Sequence, residues 1–313
     1  MNGLKPTRNL LGAAMGLAFA IAVSALAFAQ DAPDVGPHPP QPVKPMESHI
    51  GKLTGHSGAA KMNFRRYCAG CHGELGDGNG ENAPWLDPKP RDFTIATFKC
   101  RSTPTGTLPT DEDLFKSIGR GFTNSNMPIW NTLAAQERAD LVAFIKTFSE
   151  RWEKEKAGDP IQVPAEPPVT IESIAHGKLL FTKLECWKCH GPQGKGDGPS
   201  AATLTDSKDQ PIRPYNFAAG GDDSRFKCGS TNQDIYKIFM TGVDGTPMPS
   251  FNDVIKPNDA WDLVHFLRTL QVHRHSAENE VLQAAHGVIP PYTEPVAPTP
   301  ASTDNKSPSG GGN

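Results

Sequence analysis

Two short runs carry the chemistry of this chain: Cys68-Ala69-Gly70-Cys71-His72 and Cys186-Trp187-Lys188-Cys189-His190. Thiols at this spacing can add to the two vinyl groups of one porphyrin and fix it by two thioethers. The adjacent imidazole is then held beneath the ring, where it can ligate iron. A Cys-x-x-Cys pair also occurs as half a zinc site or as a redox disulfide. Three features oppose those readings. A His follows both pairs, the amino terminus reads as an export signal, and no second Cys-x-x-Cys completes either site. The expected content is two covalently attached haems, with His72 and His190 as axial ligands.

The sixth ligand is assigned to Met127 and Met248. Each precedes a Pro, and each lies just ahead of an amphipathic stretch. A thioether is a soft ligand that favours ferrous iron, and the following Pro fixes the local backbone. Met62 and Met240 read as packing residues and Met46 as solvated. His38, His49, His56, His176, His265, His273, His275 and His286 read as solvated side chains rather than ligands. Cys100 and Cys228 remain. Three readings stay open for them: a disulfide between them, two buried thiols, or a thiolate at iron.

The elements that must position these residues come in duplicate. Each copy has a short helix, Cys-x-x-Cys-His-Gly, a glycine-rich loop and a Pro-rich extended stretch. A Phe-Lys-Cys triplet, Met-Pro and a closing helix follow. The loops are Gly76-Asp77-Gly78-Asn79-Gly80 and Gly194-Lys195-Gly196-Asp197-Gly198, and the triplets end at Cys100 and Cys228. His72 to His190 is 118 residues and Met127 to Met248 is 121, so the frame is a duplicated domain. Leu141, Phe144, Ile145 and Phe148 fall at i, i+3, i+4 and i+7, as do Leu263, Phe266, Leu267 and Leu270. These predict closing helices over 137–148 and 258–270, the second capped by Asn258. Asp111, Leu114 and Ile118 predict another short helix. No sustained period-two alternation occurs, and the fold class expected is all-α.

Lys5 and Arg8 precede an uncharged apolar run that ends in Ala27-Phe28-Ala29, a small-x-small cleavage signature. The expected divisions are a signal peptide (1–29), a Pro-rich leader (30–56), a first domain (57–151), a linker (152–170), a second domain (171–273) and a disordered tail (274–313). The export signal makes the periplasm the expected location. Membrane association is expected only through an uncleaved signal or a partner. With 31 basic and 34 acidic residues and a net charge of −3, nothing favours nucleic acid as a partner.

Cys68-Ala69-Gly70-Cys71-His72-Gly73, Met127-Pro128, Cys186-Trp187-Lys188-Cys189-His190-Gly191 and Met248-Pro249 resemble the class I cytochrome c family, as a tandem diheme protein. The run from Arg101 to Leu114, which begins Arg-Ser-Thr-Pro-Thr-Gly, is similar to a signature of cytochromes that accompany bacterial multisubunit respiratory oxidoreductases. The second repeat lacks it. The resemblance implies a compact helical fold around each haem, His/Met iron, and electron transfer between redox protein partners without bond chemistry at iron. No catalytic residue is assigned. The rival functions are a diheme peroxidase, which needs one iron with an open position, a sulfur-oxidising cytochrome with Cys100 or Cys228 at iron, and a purely structural haem-bearing subunit that docks a larger complex through its Pro-rich ends.

Overall fold

The computed structural model describes residues 43–122, 125–219, 226–271 and 275–294. The signal reading, residues 30–42 of the leader, His38, His273 and the tail beyond 294 lie outside the described residues. An antiparallel hairpin opens the described chain, β1 (Glu47–Ile50) against β2 (Leu53–His56), with Glu47 opposite His56 and Ile50 opposite Leu53. The described chain is mostly helical, as expected, and this two-stranded sheet, at the end of the expected Pro-rich leader (30–56), is the departure from an all-α class. Ser48 and Ile50 bury one face of β1, and the Ser48 hydroxyl donates to the Ala139 carbonyl at 2.7 Å, which moors the hairpin on a helix.

The first repeat is then α1 (Ser57–Tyr67), α2 (Ala69–His72), α3 (Asp111–Arg120), α4 (Ala135–Lys146) and α5 (Arg151–Lys154). The second is α6 (Ile171–Lys183), α7 (Trp187–His190), α8 (Asn232–Thr241), α9 (Pro257–Thr269) and α10 (Ala277–Ala284). Both expected closing helices exist, displaced by one or two residues. The second starts at Pro257 with Lys256 as cap, because a proline at the first helical position loses no hydrogen bond; Asn258 is already inside the helix.

In each repeat the helix before the Cys pair packs on the closing helix, α1 on α4 and α6 on α9. The close approach of the second pair depends on Gly177, where a Cβ would lie 2.0 Å from the Asp262 carbonyl oxygen. Two separate cores result. Phe64, Phe93, Phe98, Leu141 and Phe144 anchor the first, and Ile174, Phe181, Tyr236, Trp261 and Phe266 the second. Burial of such side chains contributes roughly 1.5–3 kcal/mol each and holds the short motif helices in place.

Several expectations about single residues change. Met62, expected to pack, is 69% exposed, whereas Met240 is buried as expected. His265 is fully buried, with the Ser173 hydroxyl 2.8 Å from its Nδ1, so it is a core residue rather than a solvated one. Trp152, expected to begin the linker, packs on the first core beside Phe98. Residues 277–284, expected in the disordered tail, form α10, because Ser276 caps the helix and Val281 packs on the second core. Among the described residues no helix is long and apolar enough to cross a membrane.

Candidate functional site

The two Cys-x-x-Cys-His runs form the one-turn helices α2 and α7, and such helices leave their carbonyls unpaired. The glycine-rich loops satisfy them in parallel. Gly78 N–H donates to the His72 carbonyl at 2.9 Å and Gly80 N–H to that of Cys71 at 3.1 Å. Gly196 and Gly198 repeat this on His190 and Cys189 at 2.8 and 3.1 Å. Gly78 and Gly196 have φ of +82° and +75°, and a Cβ there would lie 2.9 Å and 2.8 Å from the carbonyl oxygens of Pro90 and Pro214. Only glycine fits both conditions.

The chain then passes behind each imidazole. His72 Nδ1–H donates to the Arg91 carbonyl at 2.9 Å, and His190 Nδ1–H to that of Tyr215 at 3.0 Å. Phe93 and Phe217 stack on the two rings at centroid distances of 4.5 and 4.6 Å. Burial lowers both imidazole pKa values, and the carbonyl bonds oppose that only in part. Each ring is therefore neutral, oriented, and left with a free Nε2 lone pair, the state in which a histidine ligates a metal.

The methionine loops also match. Phe122 N–H donates to the Met127 carbonyl and Val243 N–H to that of Met248, both at 3.1 Å. Ser125 and Thr246 close the loops from inside: each hydroxyl donates to the Phe122 or Val243 carbonyl, and each accepts from the Met127 or Met248 N–H at 3.2 Å. In the first repeat Cys68, Cys71, His72 and Met127 line one cavity of about 150 Å³. A smaller one, of about 20 Å³, shares Cys68, His72 and Met127. In the second repeat Cys186 and Met248 pack on the same core.

Burial, with Cys71 beside it, pushes the Cys68 thiol up to about 12, and burial pushes Cys186 up to about 11. Redox Cys-x-x-Cys pairs have a depressed thiol instead, so these cysteines are not built for disulfide exchange. Cys100 and Cys228 are joined to each other by a disulfide, which settles the three readings left open for them and leaves neither thiol free for iron.

Arg91, Lys99 and Lys227 also line the first cavity; the sequence marked the two lysines only as the middle residues of the Phe-Lys-Cys triplets, not as site residues, and did not mark Arg91. Burial pushes Lys99 down to about 8, and the positive charges of Lys227 and Arg91 add to this. Burial likewise lowers Lys227 and Arg91. Among the described residues no carboxylate forms an ion pair with any of the three. The carboxylates of Asp206 and Asp92 offset this burial only in part at Arg91, as does Asp206 at Lys99, and buried charge is costly, so the cluster suits an anionic ligand. A haem, with two vinyl groups, an iron and two carboxylates, fits this set of thiols, imidazole, thioether and cations. The available signal was the paired stretch Pro90-Arg91-Asp92-Phe93 and Pro214-Tyr215-Asn216-Phe217, which holds both carbonyl acceptors and both stacking rings.

The family described as Cytochrome c matches residues 174–271, and the one described as Cytochrome C oxidase, cbb3-type, subunit III matches residues 57–145. No curated protein matches the chain. A chain of the Kuenenia stuttgartiensis reducing HAO-like protein complex Kustc0457/Kustc0458 is similar in structure, with 42% identity and a TM-score of 0.65. The alignment covers 68% of this chain and 95% of that one. Cytochrome c domains carry covalently bound haem c. Two such domains in tandem, each with its own Cys-x-x-Cys-His run, place this chain in the cytochrome c family.

Proposed function

We propose that this chain is a periplasmic diheme cytochrome c that passes electrons between redox protein partners of a respiratory chain. Cys68 and Cys71 attach one haem, and Cys186 and Cys189 the other. His72 with Met127, and His190 with Met248, are the axial pairs. The attaching domains are residues 57–151 and 171–273, with 152–170 linking them. When bound, the haems supply two one-electron couples. The chain's own residues hold each imidazole in one tautomer, present a methionine sulfur from a closed loop and place positive charge at the first cavity.

The observation that carries this reading is the paired geometry: two imidazoles on backbone carbonyls and two methionine loops with one hydrogen-bond pattern. Paired soft sixth ligands leave no open position for peroxidase chemistry, and the Cys100–Cys228 bond occupies the thiols that a sulfur-oxidising site would use. The N-terminal apolar run and the disulfide both support an oxidising compartment. The similarity to a chain of a redox complex supports a multisubunit oxidoreductase as partner.

Electron paramagnetic resonance with near-infrared absorption tests the assignment. Low-spin signals and a methionine-to-iron charge-transfer band from both haems are expected. Met127→Ala and Met248→Ala should each remove about half of that band. High-spin iron or thiolate signals in the unaltered protein would contradict the reading.

A further inference from the structure

The run that begins Arg101-Ser102-Thr103-Pro104-Thr105-Gly106 has no counterpart in the second repeat. Cys100 to the cap Thr110 is ten residues, whereas Cys228 to the cap Thr231 is three. The extra residues reach across to the second domain. The Arg101 side chain is fully buried, and its Nη2 lies 2.7 Å from Asp244 Oδ1. The same nitrogen donates to the carbonyl of Thr241, the last residue of α8. Asp244 also accepts from the Thr105 hydroxyl at 2.7 Å and from Gly106 N–H at 2.9 Å.

Asp244 belongs to the loop that ends in Met248. That loop is closed inside by Val243, Thr246 and Met248, and Ser207 N–H holds the Gly245 carbonyl at 3.1 Å. Among the described residues, the side-chain partners of its outer carboxylate all belong to the first domain. The grip has no mirror image in the sequence. Gly229 follows Cys228 where Arg101 follows Cys100, and Thr123 stands in the first methionine loop where Asp244 stands in the second.

We infer that Arg101, through Asp244, is a positioning residue for Met248, so that the first domain holds the second domain's methionine loop in its ligating position. The inference rests on the proposed ligation by Met248. It makes the two haem sites unequal despite their shared frame. Among the described residues the hydrogen bonds that close the first methionine loop lie within its own domain, whereas the second loop needs the domains joined.

The test uses the full-length holoprotein with Asp244→Asn, Arg101→Leu and Arg101→Lys. Asp244→Asn is nearly isosteric and keeps the test open where Arg101→Leu fails to fold, because that change strands a carboxylate. Nuclear magnetic resonance of the reduced protein reads the axial methionine methyl of each haem, assigned with Met127→Ala and Met248→Ala. Titration of the ferric protein with imidazole reads how readily each methionine is displaced.

In Asp244→Asn and Arg101→Leu the Met248 methyl signal shifts or is lost. Imidazole affinity at that haem rises about tenfold, the size expected when a buried charge-assisted hydrogen bond is lost. The Met127 signal and the first haem's affinity stay unchanged, and Arg101→Lys restores part of the wild-type behaviour. Unchanged signals and affinities at both haems overturn the inference, and so does an equal change at both, which marks general loosening. A Met248→Ala protein with an unaltered spectrum overturns the ligand assignment itself, and the clamp with it.

Discussion

At the two histidines the decisive partner is a backbone carbonyl, of Arg91 for His72 and of Tyr215 for His190. A carbonyl can only accept, so it fixes which nitrogen carries the proton, and burial removes the option of a charged ring. The same burial argument raises the Cys68 and Cys186 thiols and lowers Lys99, Lys227 and Arg91. A fixed positive charge beside an iron favours the reduced state. Lys227→Gln should therefore lower the reduction potential of the first haem by on the order of tens of millivolts, as Coulomb's law with an intermediate dielectric requires. Redox potentiometry measures this, and a potential that is unchanged or raised would place the charge away from the haem.

The short helices α3 and α8 stand at equivalent places in the two domains, and both begin with a Thr-x-x-Asp box. In α8 burial opposes ionisation of Asp234, but the Thr231 hydroxyl and Lys237 outweigh it and hold the carboxyl below its usual range. A carboxylate depressed on folding stabilises above its unfolded pKa of 3.8, and that contribution is lost as pH falls below it through the lower folded value. Thr231→Ala should cost about 1 kcal/mol at neutral pH, the usual worth of such a cap. The difference between Asp234→Asn and wild type should close as the solution is acidified past that point. Denaturant titration at neutral and acid pH checks both, and a gap that widens in acid would contradict the assignment. These elements were legible in the sequence wherever one face alternates with helical period, as in α4 and α9. The hairpin and α10 were not. Each is too short to show periodicity, and each is stabilised by partners distant in sequence, Ala139 for β1 and the second core for α10. The motif residues were legible because their spacing is itself the chemistry. Arg91, Lys99 and Lys227 were not, because their significance is a shared cavity that no spacing reveals.

Across the molecule the duplication supplies two cytochrome c frames, and the departures from it join them. The Cys100–Cys228 bond closes 128 residues of chain, which on loop entropy alone removes up to about 5 kcal/mol of unfolded-state freedom. Lys208 pairs with Asp92 across the domains, and Arg101 with Asp244. The linker runs along this seam, with Ile161 N–H on the Ser102 carbonyl at 2.8 Å and Gly158 N–H on that of Leu108 at 3.3 Å. Electron transfer between two sites asks for this kind of fixed relation, since its rate depends on their separation. All of it presumes that both Cys-x-x-Cys-His runs hold haem covalently, which intact mass spectrometry of the denatured, disulfide-reduced protein tests most directly. The mass should exceed that of the polypeptide by two haem groups, with Cys186→Ala/Cys189→Ala retaining one. A mass with one haem or none in the unaltered protein would contradict the account.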